Sequence, residues 1–448
     1  MLDERGRASV AHKETTHRWP RSAPMRLSPR RSALLPLVLA APLTLRAQPS
    51  PAADPVPRFA TAITRLDGSR LTTDSAEALV RALAAEHRIA GLQVAVVDGR
   101  RTAWSYAHGV RARGDGAGSA PVGPDLPMQR TTTTWAASIT KAVVATYVMQ
   151  LVEQGRFSLD EPVARQLPAP LESYPAYREK ATLLVRDTLW PRVTPRMLLS
   201  HTSGLANFAT LEPDGKMRLH DTPGTRYRYS GEGINLVGFL VEQRLGAPLD
   251  SLVRTALFEP LGMTRTSLVW RPEFRDDVAD RFGADGRFLS TTRRGPARAA
   301  GSMTSSAEDL ATFAIALMDG RLLRRATRDA MFAPQVRVTA STQFGPGSLV
   351  DGTSDETARV GLAYGIGWGL LTTMRHGPAF FKEGHGDGAQ TYLLCFTRQR
   401  RCLVLLSNSD NAEWAFRPLV NALLGTDDVP WTWEGYTPAQ LRAAQQAP

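Results

Sequence analysis

Two cysteines in 448 residues leave no thiolate cluster for a structural zinc, and no His-Glu-x-x-His helix offers a catalytic one. A phosphate loop followed by lysine is missing, as is the Gly-x-Ser-x-Gly elbow of α/β-hydrolases. No cofactor and no metal are therefore expected. Basic runs interleaved with aromatics are also missing, which excludes a nucleic-acid partner. The formal charge of +11 supports none either, because residues 1–47 hold nine Lys/Arg against three Asp/Glu and the remaining charges are mixed in sign. The apolar stretch from Ser32 to Leu45 contains Pro36 and Pro42 and is too short to span a bilayer, so no stable membrane insertion is expected. Lysine is scarce, five residues against 49 arginines, which gives each lysine more weight.

The terminus that carries this excess reads as an export signal. Met25 is the expected start, followed by Arg26, Arg30 and Arg31, the apolar stretch, and a Leu45-Arg46-Ala47 cleavage site. Arg30-Arg31 also has the form of a twin-arginine signal. The absence of cysteine at the cleavage point excludes a lipid anchor. The expectation is a presequence over 1–47, a Pro/Ala-rich leader over 48–70, and an exported protein, periplasmic or extracellular.

Periodicity organises the rest. A helix is expected from Thr72 to Arg88, then strands over Leu92–Val97 and Thr102–Val110 joined at Asp98-Gly99, then a surface loop over Arg111–Gln129. Residues 134–332 read as mostly helical, with a short helix from Thr194-Pro195 to the His201-Thr202-Ser203-Gly204 stop. Further helices cover Glu232–Leu245 and Ser305–Met318, the last opened by a capping box at Ser305. Strands return at Tyr364–Thr372, Thr391–Thr397 and Cys402–Ser407, before a helix at Ala412–Leu424 and a loosely attached tail over 426–448. This is an α/β (α+β) pattern, with an antiparallel sheet built from both chain ends (71–133 and 333–425) and helices inserted between. Cys395 and Cys402 face each other across the last hairpin, either as a disulfide or as two buried thiols; the thiols are preferred.

The chemistry gathers at Ser138-Ile139-Thr140-Lys141. On a helix the two polar side chains share a face, and a serine needs such a base to become a nucleophile at neutral pH. The residues that follow, Ala142 to Val152, are apolar on nearly every face, so Lys141 is costly there unless paired or working.

Two further segments give this spacing context: Tyr229-Ser230-Gly231 ahead of the Glu232 helix, and Gly384-His385-Gly386-Asp387-Gly388 ahead of the Thr391 strand. With His201-Thr202-Ser203-Gly204-Leu205, Pro260-Leu261-Gly262-Met263 and Tyr364-Gly365-Ile366-Gly367-Trp368, their order resembles the serine beta-lactamase and penicillin-binding-protein superfamily. The nearest branch is the class C-like one, which also holds esterases and D-amino-acid peptidases. The resemblance covers about Leu71 to Leu424 and implies a beta-lactamase/transpeptidase-like fold. It implies Ser138 as nucleophile, Lys141 and Tyr229 as proton carriers, and His385 in place of the lysine of a Lys-Thr-Gly triplet. The backbone N–H groups of Ser138 and Gly388 would form an oxyanion hole, with Gly231, Gly386 and Asp387 touching substrate. His201 and Ser203 read as structural, and Ser409-Asp410-Asn411 as a surface turn. Gly231 replaces an asparagine and His385-Gly386-Asp387 replaces Lys-Thr-Gly, which weakens recognition of carboxylate-bearing antibiotics. The expected activity is ester hydrolysis through an acyl-enzyme on a small-molecule or peptide substrate. The alternatives are a D-amino-acid peptidase or DD-carboxypeptidase, a weak beta-lactamase, or a non-catalytic module.

Overall fold

The computed structural model describes residues 59–352 and 354–446. The expected export signal and the expected leader up to residue 58 lie outside them. Nine strands form one sheet: β1 Gly91–Asp98, β2 Arg101–Ala112, β3 Leu126–Pro127, β4 Val336–Arg337, β5 Leu362–Tyr364, β6 Gly369–Leu371, β7 Ala379–Gly386, β8 Ala389–Phe396 and β9 Arg401–Ser407. Their order is β4-β5-β6-β7-β8-β9-β1-β2-β3, and each named pair is antiparallel. Both chain ends thus contribute, and β9 lies beside β1.

Strand alternation builds two cores at once. On β9, Cys402, Val404 and Leu406 face one core, while Leu403 and Leu405 face the other, as the period of two requires. Covering both faces needs helices on both sides. These are α1 Thr73–Glu86, α2 Ile139–Glu153, α3 Pro195–Leu199, α4 Gly231–Leu245, α5 Ala307–Met318, α6 Glu413–Leu424, α7 Trp431–Glu434 and α8 Pro438–Gln446. Helix α2 is buried along nearly its whole length in the first core, whereas α1 and α6 pack on the second. Thr194 caps α3 by accepting from Met197 N, with Pro195 in the first turn, as the sequence predicts. No helix among the described residues is long and apolar enough to cross a membrane.

Five expectations change. The segment Tyr364–Thr372 is not one strand: Gly365 N donates to Trp368 O at 2.8 Å, folding it into the β5–β6 hairpin. Ser306, not Ser305, caps α5 by accepting from Asp309 N, because Ser305 is held in a two-stranded pairing with Thr134. The tail is not loose, since Trp431 and Trp433 are 1% exposed within the second core. Cys395 and Cys402 form a disulfide rather than two thiols, because the ladder sets them directly opposite each other. Strand β7 was not anticipated. Its sequence Ala-Phe-Phe-Lys-Glu-Gly-His-Gly has no β-branched residue, and a charged pair interrupts its apolar run.

Candidate active site

Ser138 sits at the mouth of α2, where the chain enters through Ala137 in a left-handed conformation at φ 44°. That is unfavourable for a residue with a Cβ and holds the turn in a strained shape. The Ser138 side chain makes no helix-capping hydrogen bond. Lys141 Nζ instead donates to Ser138 Oγ at 2.8 Å and to the Ala300 carbonyl at 2.6 Å. Lys141 is 1% exposed. Burial, assisted by the Lys382 charge, pulls its ammonium below the usual lysine range, against the opposite effect of Tyr229. A buried amine of lowered pKa, hydrogen-bonded to a hydroxyl, is equipped to take the hydroxyl proton.

Tyr229 arrives from the other side, just before Ser230, which caps α4 by accepting from Gly233 N. The Tyr229 ring lies 5.0 Å from Lys141 Nζ and 5.2 Å from Lys382 Nζ. Burial alone would raise its pKa, but the two ammonium groups, Lys141 foremost, bring it below the usual phenol value. His201 packs against the same ring at 4.4 Å and its Nδ1 accepts from Ser230 N at 3.1 Å. Burial first, then the two lysines, hold His201 well below the usual histidine pKa, so it is neutral. It orients Tyr229 from behind.

The second cation is Lys382, which sequence reasoning missed, and not His385. Lys382 is fully buried on β7. It donates to the Glu383 carboxylate at 2.5 Å and to the Glu383 carbonyl at 3.0 Å. Burial would lower its pKa, but Glu383 and Tyr229 hold it above the usual lysine value. The His385 side chain is 58% exposed, and its Nδ1 pairs with Glu413 at 2.8 Å. The signal was present: Lys382-Glu383-Gly384 has the Lys-x-Gly form three residues earlier, on one of only five lysines.

Gly388 does not serve an oxyanion hole, because its N–H donates to Asp410 Oδ1 in the β7–β8 turn at 2.5 Å. The two-residue connection makes Gly386 and Ala389 the hydrogen-bonded pair, so alternation turns the His385 N–H away from β8. Beyond Phe381 that side of β7 has no strand partner among the described residues. The Ser138 N–H also has no acceptor among the described residues. The close approach of β7 to the nucleophile turn needs Gly384, where a Cβ would stand 2.9 Å from Ser138 N and 2.8 Å from Ala136 O.

The remaining expected residues fall outside the cavity wall. Gly386 packs on the Trp135 ring, where a Cβ would come within 2.4 Å of it. The Asp387 carbonyl accepts from Arg281. Gly231 offers a backbone donor, received by Asn207 Oδ1 at 2.9 Å. A Cβ at Gly231 would meet the Phe208 ring at 2.6 Å, so Asn207 and Phe208 occupy the space of the missing side chain. The cavity itself measures about 370 Å³ and joins Ser138, Lys141 and Tyr229 to Trp135, Phe208 and Phe344. No group of three or more potential metal ligands occurs among the described residues.

Known proteins share this arrangement of chain. Residues 76–425 match the family described as Beta-lactamase. Penicillin-binding protein 4 of Amycolatopsis lactamdurans is 29% identical over 365 residues, which is 77% of this chain and 87% of that protein. Esterase EstB of Burkholderia gladioli is 31% identical over 163 residues, 31% of this chain and 38% of that protein. The solved octameric penicillin-binding protein homologue from Pyrococcus abyssi matches with a TM-score of 0.61 at 21% identity, covering 81% of this chain and 79% of that one.

Proposed function

The chain belongs to the beta-lactamase family and has the beta-lactamase/transpeptidase-like fold, and from that premise we propose that it hydrolyses carboxylic esters through an acyl-enzyme on Ser138. The observation that carries this reading is the 2.8 Å contact between Lys141 Nζ and Ser138 Oγ, beside a tyrosine whose phenolate two lysines favour. Ser138 Oγ adds to the substrate carbonyl while its proton passes to Lys141 and Tyr229. The N–H groups of Ser138 and His385 receive the oxyanion. Collapse expels the alcohol with a proton from Tyr229, and water then cleaves the acyl-Ser138 ester along the same proton route.

Esters come before carboxylate-bearing amides because Glu383 sets a carboxylate in the cavity wall beside Lys382. That carboxylate offsets the lysine charge, so a substrate carboxylate placed against β7 finds little net attraction. A D-amino-acid peptidase or weak beta-lactamase is the second reading, and the Lys382-Glu383-Gly384 triplet favours it. Export is proposed too, supported by the Cys395–Cys402 bridge, a bond that persists in oxidising compartments.

An active-site-directed phosphonate should label Ser138 in the folded protein and leave Ser138→Ala unlabelled. Absence of labelling removes the catalytic reading. Turnover of D-Ala-D-Ala peptides without turnover of p-nitrophenyl esters removes the ester reading alone. Detection of the protein in the cytoplasm only, after fractionation, removes export.

A further inference from the structure

The loop that closes the cavity beside Ser138 carries more positive charge than the proposed chemistry uses. It is pinned to the catalytic turn: Trp135 Nε1 donates to Gly301 O at 2.6 Å, and Ala300 O receives Lys141. Ala300 N donates to Asn235 Oδ1 at 3.0 Å, fixing the loop to α4 as well. From this anchored loop Arg294 and Arg298 line the cavity.

Neither arginine has a carboxylate partner among the described residues. Arg294 Nε is buried without any hydrogen-bond partner there. Several arginines elsewhere do have a carboxylate partner, among them Arg196 with Asp160, Arg228 with Asp221 and Arg417 with Asp427. The Arg294 guanidinium lies 3.8 Å from the centre of the Trp135 ring, and Arg281 lies 5.0 Å from the same ring. Stacking fixes the plane of the Arg294 fork and leaves its N–H edge for a ligand. Burial, with Arg281 and Arg298 beside it, pushes the Arg294 pKa down to about 10. Like charges crowded in this way, with a buried donor unsatisfied, are stabilised by an incoming anion.

We propose that Arg294 and Arg298 receive a carboxylate on the acyl portion of the substrate, making the enzyme selective for esters of dicarboxylic or other acidic acyl groups. The inference rests on the ester-hydrolase reading and adds the substrate class. The acyl side is assigned because the loop that carries the two arginines is hydrogen-bonded to the nucleophile turn, Gly301 O receiving Trp135 and Ala300 O receiving Lys141, whereas the alcohol departs where Tyr229 protonates it. A planar carboxylate matches the guanidinium fork with two parallel hydrogen bonds.

The test compares mono-p-nitrophenyl adipate with p-nitrophenyl hexanoate, the adipate chain being long enough to limit self-catalysed hydrolysis. A third substrate, the hexanoate ester of 4-hydroxybenzoate, moves the carboxylate to the leaving group. Wild-type kcat/KM should favour adipate over hexanoate by at least about tenfold, the effect of one charge-assisted contact, and the ratio should fall as salt rises. In R294Q the ratio should approach one, and R294K should restore part of it. A wild-type ratio near one, a ratio untouched by R294Q, or a preference for the 4-hydroxybenzoate ester overturns the proposal. If R294Q does not fold, the wild-type ratio and the R298Q variant decide. Turnover of hexanoate that vanishes in Ser138→Ala reports separately on the hydrolase reading.

Discussion

Removing Glu383 should make the enzyme work at lower pH, and then removing Lys382 as well should reverse the shift. Tyr229 lies 5.2 Å from the Lys382 ammonium, measured to its ring centre, and the Glu383 carboxylate is hydrogen-bonded to that ammonium. A unit charge at this separation is worth about 3 kcal/mol at an effective dielectric of about 20, or roughly two pKa units. The phenolate of Tyr229 and the free amine of Lys141 are the forms that accept a proton, so activity rises with pH as each deprotonates. Lys382 lowers the pKa of both groups and Glu383 raises both. In Glu383→Gln the cation is unopposed, and the acidic limb of kcat/KM should move to lower pH. In the double variant Lys382→Met with Glu383→Gln the limb should lie about two units higher than in the single variant. The double change also avoids leaving a buried carboxylate unpaired, which would itself destabilise the fold. The assay is the pH–rate profile with a p-nitrophenyl ester, with circular dichroism confirming that each variant is folded. Coincident limbs in the two variants, or a shift of opposite sign, would refute the assignment of Lys382 as the second cation.

Other outcomes follow from the same geometry. Gly384→Ala forces a methyl against Ser138 N and Ala136 O; kcat should fall by at least about 100-fold, as for a small displacement of the reacting groups, and overpacking should cost about 1–3 kcal/mol in a denaturant titration. Replacing Cys395 and Cys402 together by alanine removes a bridge between residues separated by seven positions, which should cost about 2–3 kcal/mol in thermal unfolding. Glu413, with Asp410 and Asp387, raises the His385 pKa against partial desolvation. The stabilisation is therefore present below the unfolded histidine value and lost as pH rises through the folded one. His385→Gln should lower Tm at pH 5.5 and have less effect at pH 9, with a cost below about 1 kcal/mol for so exposed a pair.

Much of this site could be read from residue spacing because the local signals agree with the fold. Ser138 and Lys141 are three apart on a helix start, and Tyr229 precedes a capped helix; local structure alone brings the first pair together. Lys382 escapes a reading by motif because the Gly-rich segment around His385 has the form of the triplet itself. Registering a strand by glycines that tolerate several alignments is less secure than registering it by its burial pattern. Only β7, pressed against Ser138 through Gly384, fixes which residue faces Tyr229. The arginine pair at 294 and 298 has no periodicity or motif to announce it, in a chain with 49 arginines; it stands out by lining the cavity beside Ser138 without a carboxylate partner among the described residues, which is a tertiary property. The tail failed for the opposite reason. Its tryptophans are isolated in a polar sequence, and only the second core explains them.

That tail reaches the chemistry. The Trp433 carbonyl accepts from Gln343 N at 2.9 Å, and the Gln343 side chain donates to Glu383 at 2.5 Å, the carboxylate that tempers Lys382. Glu434 meanwhile receives the Tyr392 hydroxyl at 2.9 Å beneath the sheet. An expression boundary drawn at residue 425, where the family match stops, would therefore cut a wire as well as a stopper. It would uncover an aromatic seam and free Glu383 to swing, changing the working pH of a site whose own residues had all been kept.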